Sequence, residues 1–495
     1  MRKIIEKQVK FGQVDISKIE LDPRSRDEIP QLLCGLQAIY SDFETRKNVF
    51  SILKDIIPVN TDTSNGRPGM DLWSILVLGT LRLNCNWDHD KVLEIANNHK
   101  TVREFLGHTI YEFDKRYALQ TLKDNVSLLT PAHMDRINQV VVKAGHKLLG
   151  HDEQCLEGRC DSFVVETDVH YPTDINLLWD AIRRIITLTA VLCNAQGITE
   201  WRQSKHILRK IKKLFNRARK LKRSNSKNEK QKAEKQQLIA EAHQQYVDLV
   251  QMYIERVRFT IGFLKQSGIT NVAQVMAIEH FIMHAERQID QILRRVVKGE
   301  EIAHSEKVFS IFEEHTEWIS KGKAGTPQEL GLKVCILEDQ YGFILHHHVM
   351  EKQTDDQVAV AMVTAAKQKH AGLSSCSFDK GFHSPQNQKD LMLLLDQVVL
   401  PRKGRLSSEA KQIEHSEDFI RARHQHAAVE SAINALENHG LDRCRDHGLD
   451  GFKRYVALAV LSRNLQVIGA ALQKRNLKKL QRSKKATTSS YRLAA

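Results

Sequence analysis

The sequence predicts an α/β protein whose strand-and-helix core is split by a long helical insertion and preceded by an all-α N-terminal domain. Three observations predict it. Short apolar runs at 155–171, 333–350, 374–379 and 397–400, most bounded by turn residues, read as strands. After residue 331 these strands alternate with helical stretches, the order of a layered α/β domain. Between the first strand and the rest, 201–330 is charged and largely helical in its periodicity.

The 495 residues suggest two to four domains, and 41% hydrophobic with 27% charged residues describes a globular chain. The net charge of +14 points to a polyanion such as nucleic acid, or else to a basic solvated surface. The eight cysteines are scattered without a C-x-x-C pair, so neither a zinc ribbon nor a disulfide framework is indicated. The N-terminus lacks the apolar core of a signal peptide and no uncharged stretch has the length of a membrane span. A reducing cytosol is the expected compartment.

In the N-terminal domain, 1–150, Leu32, Leu33, Leu36, Ile39 and Tyr40 recur at helical spacing, as do Leu72, Ile75, Leu76, Leu78 and Leu81. Asp71 is the expected N-cap of the second group. Such a domain binds DNA or dimerises; Arg82, Lys100 and Arg103 are its candidate phosphate contacts. The core is assigned to 151–200 and 331–473. After its first strand, Thr173 caps a helix carrying Leu177, Leu178, Ala181, Ile182, Ile185 and Ile186.

In the insertion, 201–330, Ile207, Ile211, Leu214, Ala218 and Leu221 form a 4-3-4-3 seam, coiled-coil-like. Arg209, Lys212 and Lys213 belong to a run without acids, which reads either as a solvated face or as a phosphate-tracking helix. Downstream, 333–338 and 343–350 pair as a hairpin, 355–369 is a helix, and Ser384 with Pro385 starts another. Helices follow over 408–440 and 450–473, then a basic, disordered tail at 474–495. Strand, hairpin, helix, strand, helix, strand, helix matches a ribonuclease H-like core.

Three acids stand in this frame. Asp161 lies in the first strand, Asp379 ends the 374–379 strand and Glu430 sits on a late helix. Carboxylates near buried strands are costly unless paired or bound to metal. Two Mg²⁺ ions about 3.5–4 Å apart, held by a few carboxylates, suit phosphodiester cleavage and strand transfer. Strand alternation puts Asp161 on a face with Phe163, Val165 and Thr167; Asp168, nearer the strand end, is the substitute candidate. Arg423 and His426 lie at helical spacing from Glu430, and Lys380 and His383 follow Asp379. These four are candidate DNA contacts or ordinary surface groups, as is Lys323 in the loop closing the insertion. His346, His347 and His348 alternate across a strand, so they form no three-histidine site. The chain has no phosphate-binding G-x-x-x-x-G-K-[ST] loop, so ATP use is not indicated.

The segments 161–174 (DSFVVETDVHYPTD), 377–385 (SFDKGFHSP) and 429–436 (VESAINAL) resemble bacterial insertion-sequence DDE transposases. The likeness is to the ISNCY-type group within the IS4/IS5-like transposases, and 66–71, 323–331 and 439–448 add to it. The resemblance implies Mg²⁺-dependent cleavage at transposon ends and strand transfer into target DNA, with Mn²⁺ as a substitute ion. It implies Asp161, Asp379 and Glu430 as catalytic metal ligands and double-stranded DNA as partner. A homodimer in the synaptic complex and a bacterial cytoplasmic, nucleoid-associated location also follow. The alternative is a non-catalytic or nuclease-only DNA-binding relative. One departure is that Glu437 stands where some IS4-like transposases carry a lysine.

Overall fold

A computed structural model describes the chain apart from residues 1–2, 6–9, 58–68, 222–227, 267–270, 321–327 and 494–495, and the side chains of 409–410 and 483–493. It is mixed α/β and divides into two units, Met1–Asp168 with Ile319–Ala495, and Val169–Trp318.

Helices α1 (Glu28–Ser41), α2 (Phe43–Lys54), α3 (Leu72–Asn84), α4 (His89–Asn98), α5 (Lys100–Phe105), α6 (Leu119–Val126) and α7 (Pro131–Leu149) precede strand β1 (Leu156–Thr167). Asp71 caps α3 as expected, its carboxylate accepting the Ser74 N–H at 2.8 Å. The second unit contains α8 (Asp174–Ala195), α9 (Ser204–Lys220), α10 (Glu229–Gln266) and α11 (Val272–Ile292). The chain then forms β2 (Glu317–Ser320), β3 (Gln328–Glu338), β4 (Ile344–Met350), α12 (Asp355–Lys369), β5 (Leu373–Phe378), α13 (Pro385–Leu394) and β6 (Gln397–Val399). It ends with α14 (Ser408–Glu414), α15 (Glu417–His426), α16 (Ala428–Leu436), β7 (Arg443–Cys444) and α17 (Gly448–Leu493).

The sheet runs β2-β3-β1-β5-β6, with β4 also on β3 and β7 on the end of β1. Strand β3 is antiparallel to β1 and to β4, whereas β5 is parallel to β1 and to β6. The hairpin, the 355–369 helix and the Ser384–Pro385 start all form where the sequence puts them. As the central strand, β1 is covered on both faces, so Phe163, Val164 and Val165 are all buried. Strand alternation therefore does not separate Asp161 from Asp168.

Several expectations need revision. The helices before β1 are not a separate domain; they share one hydrophobic core with the sheet. The cause is α17, whose buried Phe452, Leu458, Leu461, Leu465 and Ile468 join that core, with α1, α3 and α7 packed against the helix. Its apolar stretch is long enough to cross a bilayer, but most of it is buried in protein. Two glycines permit the α1–α17 contact: a Cβ on Gly35 would lie 2.1 Å from the Leu465 carbonyl oxygen, and one on Gly469 would lie 1.8 Å from that of Gln31. The tail expected to be disordered continues α17 to Leu493, because no glycine or proline interrupts it after Gly469.

Helix α8, assigned to the core on sequence, belongs with α9, α10 and α11, where Leu178, Ile182, Ile185 and Ile186 join an all-helical core. The inserted unit is thus Val169–Trp318 rather than 201–330. On α9 the buried seam is Ile207, Ile211, Phe215 and Ala218; Leu214 is only half-buried. The expected 408–440 helix is three helices and a turn. Arg82 is not a phosphate contact, since it is buried against Asp446 at 2.7 Å and lies over the Tyr455 ring.

Candidate active site

Register brings Asp161 and Asp379 together. Across the parallel pair Cys160 lies opposite Phe378, the last residue of β5. Asp379 is the next residue, so it emerges beside Asp161 although the two are far apart in the chain. Glu430 arrives from the first turn of α16, which packs on β1 and buries Val429, Ala432 and Leu436. That packing leaves Glu430 exposed, with Asp161 within its electrostatic reach.

The Asp161 carboxyl is pushed up to about 6, first by burial and then by the negative charges of Asp379, Asp355 and Glu430. The Ser162 N–H, donating to Asp161 Oδ1 at 2.7 Å, opposes the shift. Asp379 differs from the helix-capping aspartates. Asp27, Asp42, Asp71 and Asp88 each accept a backbone N–H at a helix start, whereas Asp379 precedes a short 3₁₀ turn and makes no such bond. Among the described residues, neither Asp379 nor Glu430 has a side-chain hydrogen bond or ion pair. The three carboxylates offer only oxygen donors, the ligand type that hard divalent cations take.

Asp355, missed in the sequence, is a fourth acid. It begins α12, accepts a hydrogen bond from Ser162 Oγ at 2.6 Å and pairs with Lys333 Nζ at 3.0 Å. Gly381 lies close by, since a Cβ there would be 3.1 Å from Asp355 Oδ2. An acid at a helix start has an ordinary reason to be there, which hid its place in the site.

The structure separates the remaining candidates. His426 ends α15 with Nδ1 3.0 Å from Ser377 Oγ, close enough to Asp379 and Glu430 to feel their charges. Burial lowers its pKa against their pull, so the ring is neutral at neutral pH. Lys380 and Arg423 are exposed on the same unit. His383 accepts a hydrogen bond from the Lys403 N–H at 3.4 Å, and burial with Arg402 and Lys403 lowers its pKa. Asp168 lies beyond the end of β1, 3.7 Å from Arg443, and does not join the acids. The three histidines do not converge: His346 meets Lys369 at 3.0 Å, His348 meets Gln353 at 2.8 Å, and Nδ1 of His347 is buried without a hydrogen-bond partner. Arg209, Lys212 and Lys213 are exposed on α9 in the inserted unit. Lys323 lies outside the described residues.

Among the described residues, the one set of three potential ligands with donor atoms all within 4.8 Å is His280, His284 and Glu314 of the inserted unit. The acids on the sheet do not form such a set. Comparison with protein-family models, curated proteins and solved structures returned no match.

Proposed function

We propose that this chain is a DDE transposase that cleaves DNA at insertion-sequence ends and transfers the strand into target DNA. The observation that carries the reading is the meeting of Asp161, Asp379 and Glu430 from two adjacent parallel strands and a returning helix. Three strands paired antiparallel as β4-β3-β1, followed by β5 and β6 parallel to β1, is the arrangement expected of a ribonuclease H-like core. The insertion after β1 accounts for the sequence gap between the first two acids.

The donor set suits Mg²⁺, because it offers only oxygens and its crowded charge is relieved by a divalent cation. Mg²⁺ held by Asp161, Asp379 and Glu430 would lower the pKa of the attacking hydroxyl or water and neutralise the leaving oxygen. The chain's own residues do the positioning. Lys333 holds Asp355 and Asp355 holds Ser162, fixing β1 beside Asp161. The exposed Lys380 and Arg423 supply cationic charge to hold the DNA backbone. Neutral His426, hydrogen-bonded to Ser377, stands where it accepts or donates a proton near the scissile phosphate.

The test is Mg²⁺-dependent nicking and strand transfer on DNA that carries the inverted repeats flanking this coding sequence. Nicking abolished by Asp161→Asn, Asp379→Asn and Glu430→Gln, with DNA binding kept, is the expected result. Wild-type activity in any one of these variants removes that residue from the site. Nicking without strand transfer from pre-cut ends would leave a nuclease.

A further inference from the structure

The inserted unit contains a cluster that the transposase reading does not use. His280 and His284 are four residues apart on α11, hence on one helix face. Both Nε2 atoms converge on the same oxygen, Oε1 of Glu314, at 2.7 Å from His280 and 2.9 Å from His284. The rings stand nearly perpendicular, with centroids 4.8 Å apart.

Glu314 is carried by the segment that returns from α11, and that segment is anchored independently. Ile311 is buried in the unit's core, Phe312 packs on Phe281 at 5.9 Å between ring centroids, and Gln291 Nε2 donates to the Glu306 carbonyl at 2.8 Å. Glu314 thus reaches a position fixed by other contacts. We infer that His280, His284 and Glu314 form a zinc site that staples α11 to this returning segment. Two imidazole nitrogens and one carboxylate oxygen are a zinc donor set, unlike the all-oxygen set on the sheet.

The geometry is compatible with the ion. Zinc bonds of about 2.0–2.2 Å at tetrahedral angles put donor atoms roughly 3.3–3.6 Å apart; the two nitrogen–oxygen separations of 2.7 and 2.9 Å lengthen to reach this, and all three donors already lie within 4.8 Å of one another. His280 and Glu314 are on the solvent side, which leaves a fourth position for water. A catalytic helix of the H-E-x-x-H type carries a glutamate after its first histidine. Here that position is Phe281, so the helix does not carry that motif's general base. Nδ1 of His284 is buried without a hydrogen-bond partner. Lacking this outer bond, the site binds zinc about 10–100-fold more weakly than one that has it.

The test uses the full chain with Asp161→Asn and Asp379→Asn, so that the sheet's acids do not compete. After chelator treatment, Zn²⁺ is restored and counted by equilibrium dialysis, and Co²⁺ is added separately to read ligand geometry by visible absorption. One zinc per chain, a tetrahedral Co²⁺ spectrum, and loss of affinity by at least about tenfold in His280→Ala and in Glu314→Gln support the site. Zinc binding unchanged in both variants, or absent from the parent, overturns it. His280 and Glu314 carry the test because His284 is buried and its removal disturbs folding. The outcome does not depend on whether the chain transposes DNA.

Discussion

The two candidate metal sites are built on opposite principles. The sheet cluster gathers like charges from distant parts of the chain, and burial followed by their repulsion raises the pKa of Asp161. The histidine cluster gathers two rings from one helix face and balances them on a single carboxylate through hydrogen bonds. The first depends on strand register and on α16 docking against β1. The second needs only helical spacing and one returning segment. A crowded acid cluster favours a hard cation that keeps exchangeable waters, whereas mixed nitrogen and oxygen donors favour zinc.

The largest predicted effect breaks the sheet cluster alone. Asp379→Asn or Glu430→Gln lowers Mg²⁺-dependent strand cleavage about 10³-fold, the several kcal/mol that a bound ion contributes to the transition state. Zinc bound by the full chain stays at the parent's level, which dialysis checks.

A second break acts through the framework. Gly469→Ala puts a methyl group 1.8 Å from the Gln31 carbonyl oxygen and forces α17 away from α1. A loss of about 1–3 kcal/mol follows, read as a lower denaturant midpoint. Gly262→Ala is the control in the inserted unit, because a Cβ there meets nothing within 4 Å.

The third prediction uses pH to sharpen the contrast. The Asp161 carboxyl moves from an ordinary 3.8 to about 6 on folding. As pH rises through this window the unfolded chain releases the proton first, so stability falls. Above pH 6 the whole cost, about 2–3 kcal/mol, is present. Asp161→Asn therefore raises the metal-free melting temperature at pH 7.5 and has no such benefit at pH 3.5. Added Mg²⁺ stabilises the wild type and not the variant.

The smallest effect is at Lys333. Lys333→Met breaks its 3.0 Å pair with Asp355 and returns an uncompensated negative charge to the cluster. A stability loss of about 1 kcal/mol is expected from this partly exposed pair. The accompanying rise in the Asp161 pKa shifts the pH profile of metal-free stability upward. An unchanged profile would separate Asp355 from the site.

Much of the framework was legible locally. Asp71, Thr173 and Ser384 announced helix starts through short polar side chains that accept backbone N–H groups. The hairpin through 339–342 and the strand expected at 374–379, which ends one residue earlier at Phe378, were legible from apolar runs and turn residues. The misassigned elements share a cause. Helix α8 has an apolar face suited to either unit, and only packing decided which one it joined. Arg82 looked like a surface cation because its partner Asp446 lies far along the chain. His280 and His284 passed unnoticed because their convergence requires Glu314, on a segment without regular secondary structure.

The sequence by itself determined a basic α/β chain, three candidate acids and most element boundaries, because caps, turns and hydrophobic period act over a few residues. Only the tertiary structure decided that Asp379 emerges beside Asp161, that Asp355 joins them and that α17 welds the N-terminal helices to the sheet. Those outcomes rest on register and packing between segments hundreds of residues apart, and no local pattern encodes such distances.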